Sequence, residues 1–119
     1  RLGSRAGDSW RGSVREGSPP FGAMKFRFHP DAEAESLAAI EWYEDHAAGL
    51  GADFAVEIQA GIERAVAIPE ASPSLGGDVR RVLIRRFPYG VVDAVRGECL
   101  LVLAVMHLRR SPDYWRERR

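Results

Sequence analysis

The stretch RRVLIRRFPYGVVDAVRGECLLVLAVMHLRRSPDYW, from Arg80 to Trp115, decides how this chain folds. Its clearest part is Cys99 to Met106, an apolar run of strand length bounded by Gly97 and the Arg109-Arg110 pair. A strand with one wet face alternates apolar and polar residues. A strand without that alternation is buried on both faces and belongs in the middle of a sheet. Before it, Val82, Leu83 and Ile84 sit between arginine pairs, and Val91 and Val92 follow a turn centred on Pro88. The pattern predicts strands over Arg80–Phe87, Tyr89–Val95 and Cys99–His107, with a turn at Arg96-Gly97-Glu98 between the last two.

Working outward, Phe26 and Phe28 alternate with Lys25 and Arg27, the period of a half-buried strand. Pro30 suits a first helical position, and Asp31, Glu33 and Glu35 favour the positive end of the helix dipole. Leu37, Ile40, Tyr43 and Ala47 then recur at helical spacing, and Gly49 and Gly51 flank Leu50 in a tight turn. A second helix carries Phe54, Ile58, Ile62, Ala65 and Ile68 on one stripe and stops at Pro69. Pro73, Gly76 and Gly77 mark a loop, and Ser111-Pro112-Asp113 predicts the cap of a short last helix. The order is β-α-α-β-β-β: an α+β fold with an αα-hairpin packed on a small antiparallel sheet. Its expected core includes Leu37, Ile40, Phe54, Ile58, Ile62, Leu101, Leu103 and Val105.

The 119 residues suffice for one domain. Arg1 to Ala23 is rich in Gly, Ser and Arg and has no hydrophobic period, whereas Met24 runs straight into the first strand. Residues 1–23 therefore read as a disordered leader or added segment outside the fold, with a genuine flexible arm as the alternative, and 24–119 as the domain. The single Cys99 lies within an apolar strand and reads as a small core hydrophobe. No stretch approaches the ~20 apolar residues of a membrane helix, so the chain reads as cytoplasmic. His29, His46 and His107 lie far apart, with no cysteine set beside them, which implies neither a metal nor a cofactor.

A formal net charge of zero hides an asymmetry. Asp31, Glu33, Glu35, Glu41, Glu44, Asp45, Asp53, Glu57 and Glu63 crowd the helices, with Arg64 as the opposing base. Arg80, Arg81, Arg85, Arg86, Arg96, Arg109, Arg110, Arg116, Arg118 and Arg119 crowd the sheet and tail. Guanidinium forks suit carboxylate or phosphate, so Arg80, Arg81, Arg85, Arg86, Arg109 and Arg110 are candidate partner contacts, with pairing to the acidic helices as the structural alternative. Tyr114 and Trp115 either join that surface or close a core. His107, at the end of the central strand, could serve as a general base or cap nearby backbone.

The Arg80-Arg81 strand start, the Arg86-Phe87-Pro88-Tyr89 corner, the apolar strand ending at His107 and the tail from Arg109 to Trp115 together resemble the RelE/ParE family of toxins from type II toxin–antitoxin (plasmid stabilisation) systems. Ala39-Ile40-Glu41-Trp42-Tyr43 and Phe54 fit the same family. The resemblance implies a cognate antitoxin as partner and one of two activities. ParE-type members poison DNA gyrase without catalysis; RelE-type members are ribosome-dependent mRNA endonucleases. A nuclease here would draw on His107, Arg81, Arg86 and Tyr114. The nuclease pattern has an arginine six residues before the tail tyrosine, where this chain has Leu108, and its lysine cluster is replaced by Lys25 alone. Ser111-Pro112-Asp113-Tyr114-Trp115 is closer to the gyrase-poison side, and a non-toxic antitoxin-binding module is a third reading. Asp93 departs from the family, which commonly has an aromatic residue there; it is expected to face solvent or an arginine such as Arg86, since a buried unpaired carboxylate costs several kcal/mol.

Overall fold

The computed structural model describes residues 25–68 and 72–118; the leader proposed for residues 1–23 lies outside them. The elements follow as β1 (Lys25–Phe28), α1 (Pro30–His46), α2 (Leu50–Ala67), β2 (Ser74–Gly76), β3 (Val79–Leu83), β4 (Tyr89–Arg96) and β5 (Cys99–His107). The strands form one five-stranded sheet in the order β1-β5-β4-β3-β2. The α+β arrangement stands: β2, β3, β4 and β5 pair antiparallel, and β1 joins β5 in parallel, Phe28 opposite Val102, so the largely antiparallel sheet is mixed at that edge.

β5 lies between β1 and β4, as its unbroken apolar sequence requires, and its residues from Val102 to Met106 are all buried. A bulge between Val92 and Asp93 leaves Leu103 as an extra residue on β5. Leu103 and Ala104 consequently both pack on the face away from the helices, while Val102 and Val105 pack beneath them. The face under the helices gathers Phe26, Phe28, Val82, Val91, Leu100 and Val102 against Phe54, Ile58 and Ile62. The opposite face gathers Val79, Val92, Leu103 and Met106 beneath Trp115.

The helix hairpin is tightly specified. His29 caps α1 by accepting the Asp31 N–H on Nδ1 at 3.0 Å, and its own N–H reaches the Val102 carbonyl at 2.8 Å. Gly49 has φ +86°, and the Glu44 carboxylate accepts the N–H groups of Gly49 and Gly51. A Cβ on Gly51 would lie 2.6 Å from the Ile40 carbonyl oxygen, so α1 and α2 approach there only because the side chain is missing.

Several expectations are corrected. Small residues Ala32, Ser36 and Ala39 form the inner face of α1, which turns Leu37 outward to 42% exposure. Ala47 is exposed at the helix end, and Ile68 is 59% exposed beyond α2. β3 ends at Leu83 instead of Phe87, because Arg86 adopts φ +72° and Pro88 follows, a backbone that cannot continue a ladder. The loop expected at Pro73 to Gly77 contains the short edge strand β2. The tail forms turns over residues 112–117, with Arg116 N–H to Asp113 and Arg118 N–H to Trp115, in place of a regular helix. Cys99 is half-buried at the strand entrance. Among the described residues no helix is long and apolar enough to cross a membrane.

Candidate functional site

A cleft of about 400 Å³ opens between α1 and the C-terminal end of β5, lined by Glu35, Ala38, Ala39, Trp42, Tyr43, Tyr89, Val105, His107 and Arg110. It exists because Ala38 and Ala39 leave space that larger residues would fill, and because β1 stops pairing at Val102, short of the upper half of β5. Tyr43, Phe54, Phe87 and Tyr89 pack ring to ring, with centroids 4.8 Å apart for Tyr43 and Phe87 and 4.9 Å for Phe54 and Tyr89. Burial, then the nearby Tyr43 and Glu35, push the Tyr89 hydroxyl above its ordinary pKa, so it is a neutral donor. Trp42, 56% exposed, stacks on His46 with centroids 3.7 Å apart and presents indole surface at the mouth.

The rim is ionic. Arg118 grips Glu35 through two bonds of 2.9 Å, and Arg110 approaches the same carboxylate at 3.6 Å. The Glu35 hydrogen bond, foremost among its interactions, holds the Arg118 guanidinium above its ordinary pKa. Arg110 and Arg118 lie 3.8 Å and 4.9 Å from the Tyr114 ring centroid. Burial first, and Glu35 second, push the Tyr114 hydroxyl well above its ordinary pKa, although it makes no hydrogen bond of normal geometry.

The structure separates the residues that sequence reasoning grouped. His107 lines the cleft, 5.1 Å ring to ring from Tyr89, and its Nδ1 accepts the Arg109 N–H at 3.0 Å. A neutral ring bonded that way carries its proton on Nε2 and has no free lone pair with which to deprotonate a substrate. Among the nuclease candidates only His107 reaches the cleft lining; Tyr114 packs against the Arg110 and Arg118 guanidiniums. Arg81 lies on the opposite sheet face, its side chain against Gly90, and Arg86 pairs with Asp53 at 3.4 Å on the helix side. Arg80 donates to the Ser72 carbonyl at 2.8 Å, whereas Arg85 is exposed. Arg80, Arg81, Arg85 and Arg86 thus do not form one rim.

Trp115 is corrected from contact residue to core: it is fully buried. Asp93 is buried rather than solvent-facing, and has an arginine beside it as expected, though a different one. It is 3% exposed, its strand neighbour is Arg80 rather than Arg86, and one carboxylate oxygen has no partner. Burial, only partly offset by Arg80, pushes it up to about 7. Glu35 and Arg118 were missed as a pair; one reads as a helix-dipole acid and the other as a tail base, and no sequence spacing joins them.

No protein-family model matches the sequence, and a search of curated proteins returns no match. Among solved structures, a chain of the "Chromosomal ParDE TA system from P. aeruginosa" superposes with a TM-score of 0.60 at 18% identity, covering 71% of this chain and 96% of that chain. The fold is that of a ParDE-system chain. The match spans almost the whole of the ParDE-system chain.

Proposed function

We propose that the chain is the toxin of a type II toxin–antitoxin system, a ParE-like poison of DNA gyrase neutralised by a cognate antitoxin. The observation that carries this reading is the fold shared with the ParDE-system chain over nearly that chain's full length. The cleft supports a binding role over catalysis. Its histidine has its acceptor nitrogen occupied, and its central carboxylate is engaged by Arg118. The competing reading, a ribosome-dependent mRNA endonuclease, draws on one observation, the placement of His107 beside Tyr89 and Arg110. Induced expression with plasmid topology and transcript integrity followed in parallel separates the two. A gyrase poison alters topology, leaves transcripts whole and survives His107→Ala. Transcript cleavage lost in His107→Ala would reverse the assignment, and normal growth with both readouts unchanged would reject toxicity.

A further inference from the structure

We propose that Asp93 and Arg80 form a pH-operated latch on the outer edge of the sheet: with Asp93 neutral, Arg80 holds the segment that enters β2, and with Asp93 ionised, Arg80 turns to the carboxylate and lets that segment go. The inference is independent of the toxin reading and concerns how the fold responds to its surroundings.

The register lays Ser74, Arg80, Asp93, Val102 and Phe28 in one row across β2, β3, β4, β5 and β1. Phe28 and Val102 belong to the core beneath the helices, as does Val82, two residues beyond Arg80 on the same side of β3. Directly opposed residues on one sheet face have Cβ atoms about 4.5–5.5 Å apart, so the Arg80 fork is within reach of the Asp93 carboxylate. Arg80 is spent elsewhere. Its Nη1 donates to the Ser72 carbonyl at 2.8 Å, beside the bond of 3.2 Å from the Arg81 N–H to the Pro73 carbonyl. Asp93, 3% exposed, is left with one oxygen that has no hydrogen-bond partner.

A neutral carboxyl tolerates such a place far better than a charged one. Burial, only partly offset by Arg80, pushes Asp93 up to about 7, so both of its forms are populated near neutrality. The surroundings offer it no other charge. β1 and β5 present Phe28 and Val102, α2 covers this face with Ile58, Ile62, Ala65 and Val66, and α1 adds Ala32 and Ala39. Arg64 of α2 donates to the Leu83 carbonyl at 2.9 Å, and Glu63 is exposed. Neither these nor the buried Glu33 of α1 acts on Asp93 as Arg80 does. An ionised Asp93 therefore gains a charge-assisted bond by drawing Arg80 off Ser72. What Arg80 releases is weakly held: β2 is a three-residue strand at the sheet edge, with an irregular register between Ser74 and Gly76. Such segments open at the least cost.

The test follows the full chain, isotopically labelled, by NMR from about pH 5.5 to 8.5, a range that brackets the switch. Three signals are read: the Asp93 carboxyl carbon, the Arg80 Nε–H, and the hydrogen-exchange protection of the Arg81 amide relative to its intrinsic rate at each pH. Asp93 should titrate near pH 7, and the Arg80 signal should move with the same midpoint. Arg81 protection should fall several-fold above that midpoint while the amides of β4 and β5 stay protected. Asp93→Asn should keep Arg80 on Ser72 at every pH and abolish the fall. Arg80→Gln should leave Asp93 titrating with a higher midpoint, and make Arg81 protection low and independent of pH. A fall in protection that persists in Asp93→Asn belongs to another group and overturns the latch. So does an Asp93 that ionises while Arg80 and Arg81 stay unmoved, or one that does not titrate in this range. Both of these last results are read on the unsubstituted chain, so they decide the matter even where a variant fails to fold.

Discussion

Replacing Asp93 with Asn should remove a pH-dependent weakness built into the sheet. Asp93 sits on β4 between Arg80 on β3 and Val102 on β5, 3% exposed and with one oxygen unpartnered. Its carboxyl is pushed up to about 7 by burial, against an ordinary value of about 3.9. The folded state therefore binds this proton more tightly than the unfolded state. The stability it contributes is fully present below about pH 4 and is lost as pH rises to about 7. Roughly 3 pH units at ~1.4 kcal/mol each give ~4 kcal/mol, on the order of half the stability of a small domain. Asn keeps the shape and never ionises; leaving its amide unpaired costs about 1–3 kcal/mol at every pH. Urea denaturation of both proteins should show Asp93→Asn equal or weaker near pH 4 and stronger by about 1–3 kcal/mol at pH 8. A stability difference that stays flat across that range would refute the reasoning. A slope of opposite sign would mean that Asp93 is ionised and paired with Arg80.

The remaining predictions concern packing. Gly51→Ala should lower stability by about 1–3 kcal/mol in spite of alanine's better helix propensity, because the new Cβ meets the Ile40 carbonyl oxygen; an unchanged melting temperature would contradict the close helix approach. Trp115→Ala should cost about 3–5 kcal/mol by chemical denaturation, since it empties the centre of the second core cluster. Removing residues 109–118 should be at least as damaging, and a truncated chain of undiminished stability would show the tail to be an appendage.

Local chemistry made some of this structure legible in sequence and left other parts hidden. Cys99 to His107 declared itself because a strand buried on both faces must be apolar throughout. The helix hairpin was legible from Gly49, Gly51 and the Phe54, Ile58, Ile62 stripe. The parallel pairing of β1 with β5 was not, because it joins residues more than seventy positions apart and parallel register leaves no turn signal. The inner face of α1 was misjudged because Ala32, Ser36 and Ala39 pack against the sheet by being small, while the more hydrophobic Leu37 points outward. The cleft had no sequence signature at all: Glu35, Trp42, His107 and Arg118 meet only once α1, β5 and the tail are folded together. The arginines misled in the other direction, since their clustering along the chain is undone by strand alternation and by the reversal at Arg86.

The central claim is tested most directly by adding the purified chain to DNA gyrase and relaxed plasmid, with ribosome-bound mRNA assayed alongside. A gyrase poison should suppress supercoiling in proportion to its concentration, do so equally well as His107→Ala, and leave the mRNA intact. Unimpaired supercoiling, together with mRNA cleavage that disappears in His107→Ala, would contradict it.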